Sequence, residues 1–100
     1  MRSPLVAVLV RGPSMAPTLK DGDAVLARRG GGPPRPGDVV IGRFRSRPDL
    51  LVVKRVVRRA GDAWWLQGDN ALGTDDSRTF GAADVVARVV LQWWPRLRRL

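Results

Sequence analysis

Residues 50–57, LLVVKRVV, hold a lysine inside an almost continuous aliphatic run. Side chains of a β-strand alternate between its two faces, which places Lys54 in one row with Val52 and Val56. Lysine is rarely found in an aliphatic row without a reason, because burial lowers its pKa and makes the amine usable as a general base. A lysine that reaches solvent from an edge strand explains the stretch equally well. On this stretch alone both interpretations stay open.

Similar runs recur along the chain and predict a mainly β fold. Apolar or alternating runs are separated by turns rich in Gly, Pro and Asp, and they cover residues 5–10, 24–28, 38–44, 50–58, 63–67 and 85–93. Short strands at this spacing predict a small, strongly bent antiparallel β-sheet or partial barrel. No convincing amphipathic helix and no internal repeat is visible. One hundred residues suffice for one small core, so we expect residues 1–100 to form a single domain.

The composition excludes most catalytic and metal-binding chemistry. The chain has no histidine and no cysteine, which rules out histidine-based triads, cysteine nucleophiles, thiolate or imidazole zinc sites and disulfides. The acidic residues are all aspartates and form no dense cluster beyond residues 75–76, so we expect no metal site and no cofactor. Only Lys20 and Lys54 are lysines, and arginine cannot act as a general base near neutral pH. The candidates for acid–base chemistry are therefore very few.

A net charge of +9 raises the question of a nucleic-acid partner. The arginines are spread along the chain and are not gathered on one helix, so we favour a solvated basic surface. A non-enzymatic nucleic-acid-binding module is kept as the alternative from another functional class. Such a module would lose its ligand as salt rises and would tolerate the loss of Lys54.

Neither end of the chain predicts a membrane-spanning segment. The apolar run PLVAVLV is far shorter than the ~20 residues that cross a bilayer, so we expect a soluble, cytoplasmic protein. The ending VVLQWWPRLRRL suits a membrane interface, where tryptophan and arginine occur together. A last strand with two packed indoles and a charged tail explains it as well and is the interpretation we prefer. Any membrane association is expected to be peripheral.

A serine lies in a proline-bounded turn after the first apolar run. VRGPSMAPTL, residues 10–19, places Ser14 between Pro13 and Pro17, which excludes a helix and disfavours a central strand. The stretch is either an ordinary turn or a stiff support that fixes the direction of one side chain. Serine and lysine are a known nucleophile–base pair, so Ser14 and Lys54 are candidate catalytic residues.

Four segments together resemble the type I signal peptidase family in order, spacing and sequence. They span residues from about Val10 to Trp94 and read GPSMAPTLKDGDAVLARR, RPGDVV, VVKRVVRRAGD and GDNALGTDDSRTFG. The resemblance implies the bent β-sheet of the signal peptidase catalytic core. It also implies a serine endopeptidase with Ser14 as the nucleophile and Lys54 as the general base.

The same resemblance assigns supporting roles around the serine. The Ser14 amide would be one oxyanion donor. Gly12 stands where many members carry a second donor hydroxyl, which leaves another backbone group or a water for that role. Met15 and Pro17, which follow the nucleophile, are expected to lie next to the substrate.

Further supporting roles fall on the segment after the fifth strand. The segment GDN, residues 68–70, matches a turn of the family. Thr74 stands where a serine commonly hydrogen-bonds the lysine amine. Asp76 and Arg78 belong to the motif DSR and are expected to form an ion pair that orders the loop beside the lysine.

Within this resemblance the chain looks most like the nickel-type superoxide dismutase maturation proteases. The similar phrases are RPDLLVVKRVVRR, WWLQGDN and the ending at WWP, and we expect neither an N-terminal membrane helix nor the large insertion of many signal peptidases. The implied substrate is a nickel superoxide dismutase precursor, from which a short leader is removed to free an N-terminal histidine. The alternatives are a general signal peptidase core acting on exported preproteins and a self-cleaving domain of SOS-type repressors. The repressor domain would require an upstream cleavage site and a DNA-binding domain.

Overall fold

The computed structural model describes residues 3–73 and 75–100 of the chain. In these residues it contains seven β-strands and one single-turn helix. In chain order they are β1 (Leu5–Leu9), β2 (Ala24–Arg28), β3 (Val39–Phe44), β4 (Leu51–Ala60), β5 (Ala63–Gln67), α1 (Ser77–Phe80), β6 (Ala83–Trp94) and β7 (Arg98–Arg99).

All seven strands belong to one sheet, and every pairing in it is antiparallel. The order is β1-β2-β6-β3-β4-β5, and β7 pairs with β6 outside this path. A further pairing between Trp64 and Ala83 joins β5 to β6, so that β6, β3, β4 and β5 close into a ring. Register shifts bend β2 and β3 against β6, as bulges do at the corners of small barrels. The predicted bent sheet or partial barrel is confirmed.

The buried side chains form two clusters on either side of the curved sheet. The main core lies between the β1–β2 side of the sheet and the turn after β1, and it contains Val10, Met15, Leu19, Val25, Ala27, Val39, Ile41, Ala87 and Val89. The ring core contains Val40, Phe44, Val56, Leu66 and Ala83. Strand β3 supplies both clusters from alternate residues, which explains why its apolar run VVI is uninterrupted.

The six predicted strands agree with β1 to β6 to within two residues at each end. Two short elements were not predicted. Helix α1 is a single turn whose N-cap is Asp76, and β7 is a pair of arginines that returns onto β6 beside Gln92. Neither has a hydrophobic period long enough to be recognised from sequence.

The end of β6 corrects one prediction. Trp93 and Trp94 do lie in the last long strand, but their side chains are not packed: they are 50% and 57% exposed. With exposed Leu9 of β1 they line a shallow apolar depression, which we call the indole patch. Among the described residues, no helix is both long and apolar enough to cross a membrane.

Candidate active site

Ser14 lies in a turn that the main core holds in place. Met15 and Leu19 are fully buried in this core. The Leu19 backbone N–H donates a 2.9 Å hydrogen bond to the Met15 carbonyl oxygen, which closes the turn. Ser14 itself is partly exposed. The side chain of Met15, predicted to lie next to the substrate, therefore packs beneath the turn. Pro17 is exposed and lies outside the residues that line the groove described below.

Lys54 is buried in the middle of β4. Its side chain is 4% exposed, and its partner across the sheet is the fully buried Val40 of β3. Burial lowers the pKa of Lys54, and the positive charge of Arg78 lowers it further, while the carboxylates of Asp76 and Asp75 act in the opposite direction. The net shift is downward, so the amine is closer to its neutral form than an exposed lysine at the same pH.

Ser14 and Lys54 line the same groove, an open cavity of about 470 Å³. One wall is β1 and the residues that follow it, and the other wall is the first half of β4. Strand β1 pairs only with β2, and residues 51–54 of β4 pair with β3 but not with β5, among the described residues. Two open backbone edges therefore border the cavity that contains the serine hydroxyl and the lysine amine.

The backbone of Ser14 is fixed by residues 68–70, the GDN segment. Gly68 approaches so closely that a Cβ atom at this position would lie 2.5 Å from the Ser14 carbonyl oxygen. The Asn70 backbone N–H donates to the same oxygen at 2.9 Å, and its side-chain amide donates to the Pro13 carbonyl oxygen at 3.0 Å. Residue 68 must therefore be glycine, because there is no room for a side chain. The turn that carries the serine is held by hydrogen bonds from Asn70 to its backbone oxygens.

Asp69 connects the serine turn to the lysine strand. Its carboxylate accepts two hydrogen bonds from Arg55, at 2.8 and 2.7 Å, and one from the Thr18 hydroxyl at 2.6 Å. The hydrogen bonds from Arg55 hold the pKa of Asp69 below its usual range. Arg55 follows Lys54 directly and points to the other face of β4. Asp69 thus connects the turn that carries Ser14 to the strand that carries Lys54, through Thr18 on one side and Arg55 on the other.

Asp76 anchors the loop beside Lys54. The expected ion pair with Arg78 is present: the Asp76 carboxylate, which is 1% exposed, accepts from the Arg78 guanidinium at 2.6 Å. It also accepts from the backbone N–H of Gly68 at 3.0 Å. Burial alone would raise the pKa of Asp76, but the hydrogen bonds from Arg78 and Gly68 outweigh it and the pKa is lowered. Thr74 lies outside the described residues, so its hydrogen bond to the lysine stays a prediction.

Gly12 does not supply the second oxyanion donor in this structure. It has φ of +78°, a conformation that favours glycine, and it lines the groove. Its backbone N–H, the only donor it has, is already bonded to the Asp21 carboxylate at 2.7 Å. Gly12 thus shapes the entry to the serine turn.

Three contributors to the site had no role assigned from sequence: Asp69, Asn70 and Ser77. The Ser77 hydroxyl is buried and accepts a 2.8 Å hydrogen bond from the Leu66 N–H, which fixes α1 on β5. In the sequence, Asp69 and Asn70 could be recognised only as members of the GDN segment, and Ser77 only as the middle residue of DSR. Across residues 3–73 and 75–100, no group of three or more acidic side chains is arranged to hold a metal ion.

The sequence of the chain matches a known protein family and several known proteins. The model of the family described as Peptidase S24-like matches residues 1–90. The chain is 31% identical to human mitochondrial inner membrane protease subunit 1, over 88% of this chain and 69% of the relative. It is 32% identical to the Arabidopsis thaliana mitochondrial ATP-independent inner membrane protease subunit 1a, over 86% and 68% of the two chains.

The close approach of Gly68 to Ser14 leads to a stability prediction. Gly68→Ala places a methyl group against a backbone oxygen that is itself hydrogen-bonded, so we expect a loss of about 1–3 kcal/mol, which lowers Tm by several degrees. Gly31→Ala is the control, because a Cβ there meets nothing within 4 Å. Thermal unfolding of both variants checks this, and equal Tm values would contradict the tight packing inferred at residue 68.

Proposed function

The chain belongs to the Peptidase S24-like family, and from that premise we propose that Ser14 and Lys54 are its catalytic dyad. It is a serine peptidase related to the inner membrane protease subunits. The observation that carries the assignment is the shared groove: a partly exposed hydroxyl and a buried lysine line one cavity beside two open strand edges. The other lysine, Lys20, is exposed and does not line this groove.

The proposed reaction is acyl transfer. Neutral Lys54 takes the proton of the Ser14 hydroxyl as the oxygen attacks the scissile carbonyl carbon. The resulting ammonium gives that proton to the leaving amine when the peptide bond breaks, and an ester on Ser14 remains. Lys54 then takes a proton from a water molecule, whose oxygen attacks the ester. As the ester C–O bond breaks and the acid product leaves, Lys54 gives this proton to the Ser14 oxygen, which restores the hydroxyl and the neutral amine. The Ser14 amide is proposed as one donor to the oxyanion.

The substrate is proposed to bind as an extended strand in the groove. Backbone groups of β1 and of residues 51–54 in β4 have a free side there, and an added peptide strand would pair with them. The groove is mostly aliphatic, with Val8, Ile41 and Val53 among its lining residues. Small apolar side chains before the cleaved bond fit such walls. These features support cleavage of a flexible leader, which is able to become extended, over cleavage inside a folded domain.

The dyad predicts a specific pattern of variants. Ser14→Ala and Lys54→Arg are each expected to lower kcat/KM for leader cleavage by about 10³-fold or more, since arginine keeps the charge but is never neutral. In the wild-type enzyme kcat/KM is expected to rise with pH through the lowered pKa of Lys54, because only the deprotonated amine accepts the serine proton.

Lys20→Arg is the matched control, since it makes the same substitution at an exposed turn residue, and it should retain wild-type activity. Purified proteins are compared by peptide cleavage over a pH series, with Tm as the check on folding. Substantial activity in folded Lys54→Arg would mean that Lys54 serves only as a cation, and the dyad would be abandoned.

As the natural substrate we propose the precursor of a nickel superoxide dismutase. The support is the likeness of RPDLLVVKRVVRR and WWLQGDN to the maturation proteases of that enzyme. The curated relatives carry another description, mitochondrial inner membrane protease, and the alternative is a signal peptidase core that processes exported preproteins. A non-enzymatic nucleic-acid module does not fit membership of a peptidase family.

The two substrates are separated by a direct comparison. A nickel superoxide dismutase precursor and an exported preprotein are each incubated with the wild-type protein and with Ser14→Ala, and the products are identified by mass spectrometry. We expect one cut in the dismutase precursor that leaves an N-terminal histidine, and no cut with Ser14→Ala. Cleavage of the preprotein alone would favour the general signal peptidase.

We further propose peripheral contact with a membrane surface through the indole patch. Trp93, Trp94 and Leu9 expose apolar surface together, and half-exposed tryptophans with nearby arginines suit the interfacial zone. Trp93→Ala with Trp94→Ala is expected to weaken binding to neutral phosphatidylcholine vesicles by about tenfold or more. Leu72→Ala is the control, since Leu72 is 96% exposed and lies outside the patch. Equal vesicle binding in all three proteins would remove this proposal.

A further inference from the structure

Two arginines face each other across the strand pair β2–β6. Arg28 and Arg88 are direct cross-strand partners, so their Cβ atoms lie on the same face of the sheet at roughly 4.5–5.5 Å. Both side chains are exposed. Like charges in this arrangement repel and destabilise an antiparallel pair. A bound negative charge between the two guanidinium groups would remove this repulsion.

Within the described residues no carboxylate forms an ion pair with either arginine, although Asp38 lines a neighbouring concavity together with Arg88. Ion pairs in residues 3–73 and 75–100 involve four other arginines, and neither Arg28 nor Arg88 takes part in one. No aspartate lines the concavity beside them. Arg45 is paired with both Asp62 and Asp84, but most arginines of the described residues, Arg43 among them, also form no ion pair. What distinguishes Arg28 and Arg88 is that they face each other across a strand pair.

A glycine loop lies directly beside the two arginines. Residues 30–32, all glycine, line a concavity of about 100 Å³ together with Arg28 and Arg88. Gly30 and Gly32 have positive φ, and a Cβ at any of the three positions would meet open space. Their backbone N–H groups donate to no acceptor among the described residues. The concavity thus combines two guanidinium groups with free amides on a backbone that carries no side chains.

We propose that Arg28, Arg88 and the Gly30–Gly32 loop form a binding site for a phosphate-type oxyanion. A dianion cancels the charge of both arginines, and each guanidinium matches two of its oxygens with parallel N–H donors. Backbone amides of glycine loops bind the remaining oxygens in many phosphate sites. The small size of the concavity suits one compact oxyanion better than an extended ligand. None of these residues lines the catalytic groove.

The ligand chemistry has two sources, free phosphate and the headgroup of a phospholipid. The first experiment uses inorganic phosphate and follows Tm against sodium chloride at matched ionic strength. A ligand that binds only the folded state raises Tm with its concentration, so the wild-type protein is expected to be stabilised by phosphate beyond the chloride series. Arg28→Gln and Arg88→Gln are each expected to weaken the apparent phosphate affinity about tenfold or more.

Arg43→Gln is the matched control. Arg43 is also an exposed strand arginine outside every ion pair of the described residues, but Asp84 is its partner on β6. It should keep the full phosphate response. Arg88→Lys retains the charge without the planar guanidinium and should show an intermediate response. Equal phosphate responses in Arg88→Gln and Arg43→Gln would overturn the site, because only general screening would then remain.

A second readout does not depend on the ligand. In chloride alone, Arg88→Gln removes the repulsion with Arg28, so its Tm should lie above that of the wild-type protein. Arg43→Gln removes no such repulsion and should give no rise. A lower Tm in Arg88→Gln than in the wild type would show that the pair is not repulsive, and the argument for a counter-ion would be lost.

Vesicles separate the two sources. Sedimentation with phosphatidylcholine vesicles is compared with vesicles that also contain phosphatidic acid, for the wild type and Arg28→Gln/Arg88→Gln. Loss of the phosphatidic acid preference in the double variant identifies the lipid headgroup as a ligand. An unchanged preference, together with a lost Tm response, identifies free phosphate. If the double variant matches the wild type in both assays, the site does not exist, whatever the outcome for the dyad.

Discussion

The carboxylate of Asp69 is the contact on which the geometry of the site depends. It accepts hydrogen bonds from Thr18, four residues after Ser14, and from Arg55, the residue after Lys54. The two proposed reacting residues are 40 positions apart in sequence, one in the turn after β1 and the other in β4. A charge-assisted, two-pronged contact with Arg55 restricts rotation as well as distance. Loss of this one carboxylate would remove the side-chain connection between the serine turn and the lysine strand and leave the contacts of Gly68 and Asn70 to hold the turn.

The electrostatics near Lys54 depend on a second ion pair. Two aspartates near the amine favour its ammonium form, whereas burial favours the neutral form. Arg78 is bonded to Asp76 and adds a positive charge that lowers the pKa of Lys54. The ion pair thus orders the loop and offsets part of the attraction of Asp76 for a protonated lysine. A carboxylate is tolerated next to the proposed base because it is already neutralised by its partner.

The strands could be predicted from sequence because each buries one or two apolar rows, and alternation reports burial directly. Alternation does not report what covers a row, so the exposure of Trp93 and Trp94 was not predictable. Residue types at motif positions indicated which segments meet, but not where each polar atom points. The Gly12 amide is bonded to Asp21, and Met15 faces the core, because turn conformation fixes those directions. The link between Asp69 and Arg55 exists only once the sheet has formed.

The open edges of β1 and β4 have a consequence for how the molecule meets copies of itself. An unpaired strand edge is a template for any extended chain, and two sheets that join at such edges begin an aggregate. Here the edges border a groove whose lining includes Arg11 and Arg47, and each copy carries a net charge of +9. A second folded copy that approaches the groove carries the same net positive charge and is repelled. A short flexible segment does not carry that charge and can enter the groove. Self-association is thereby opposed by the same surface that leaves the edge accessible to a single strand.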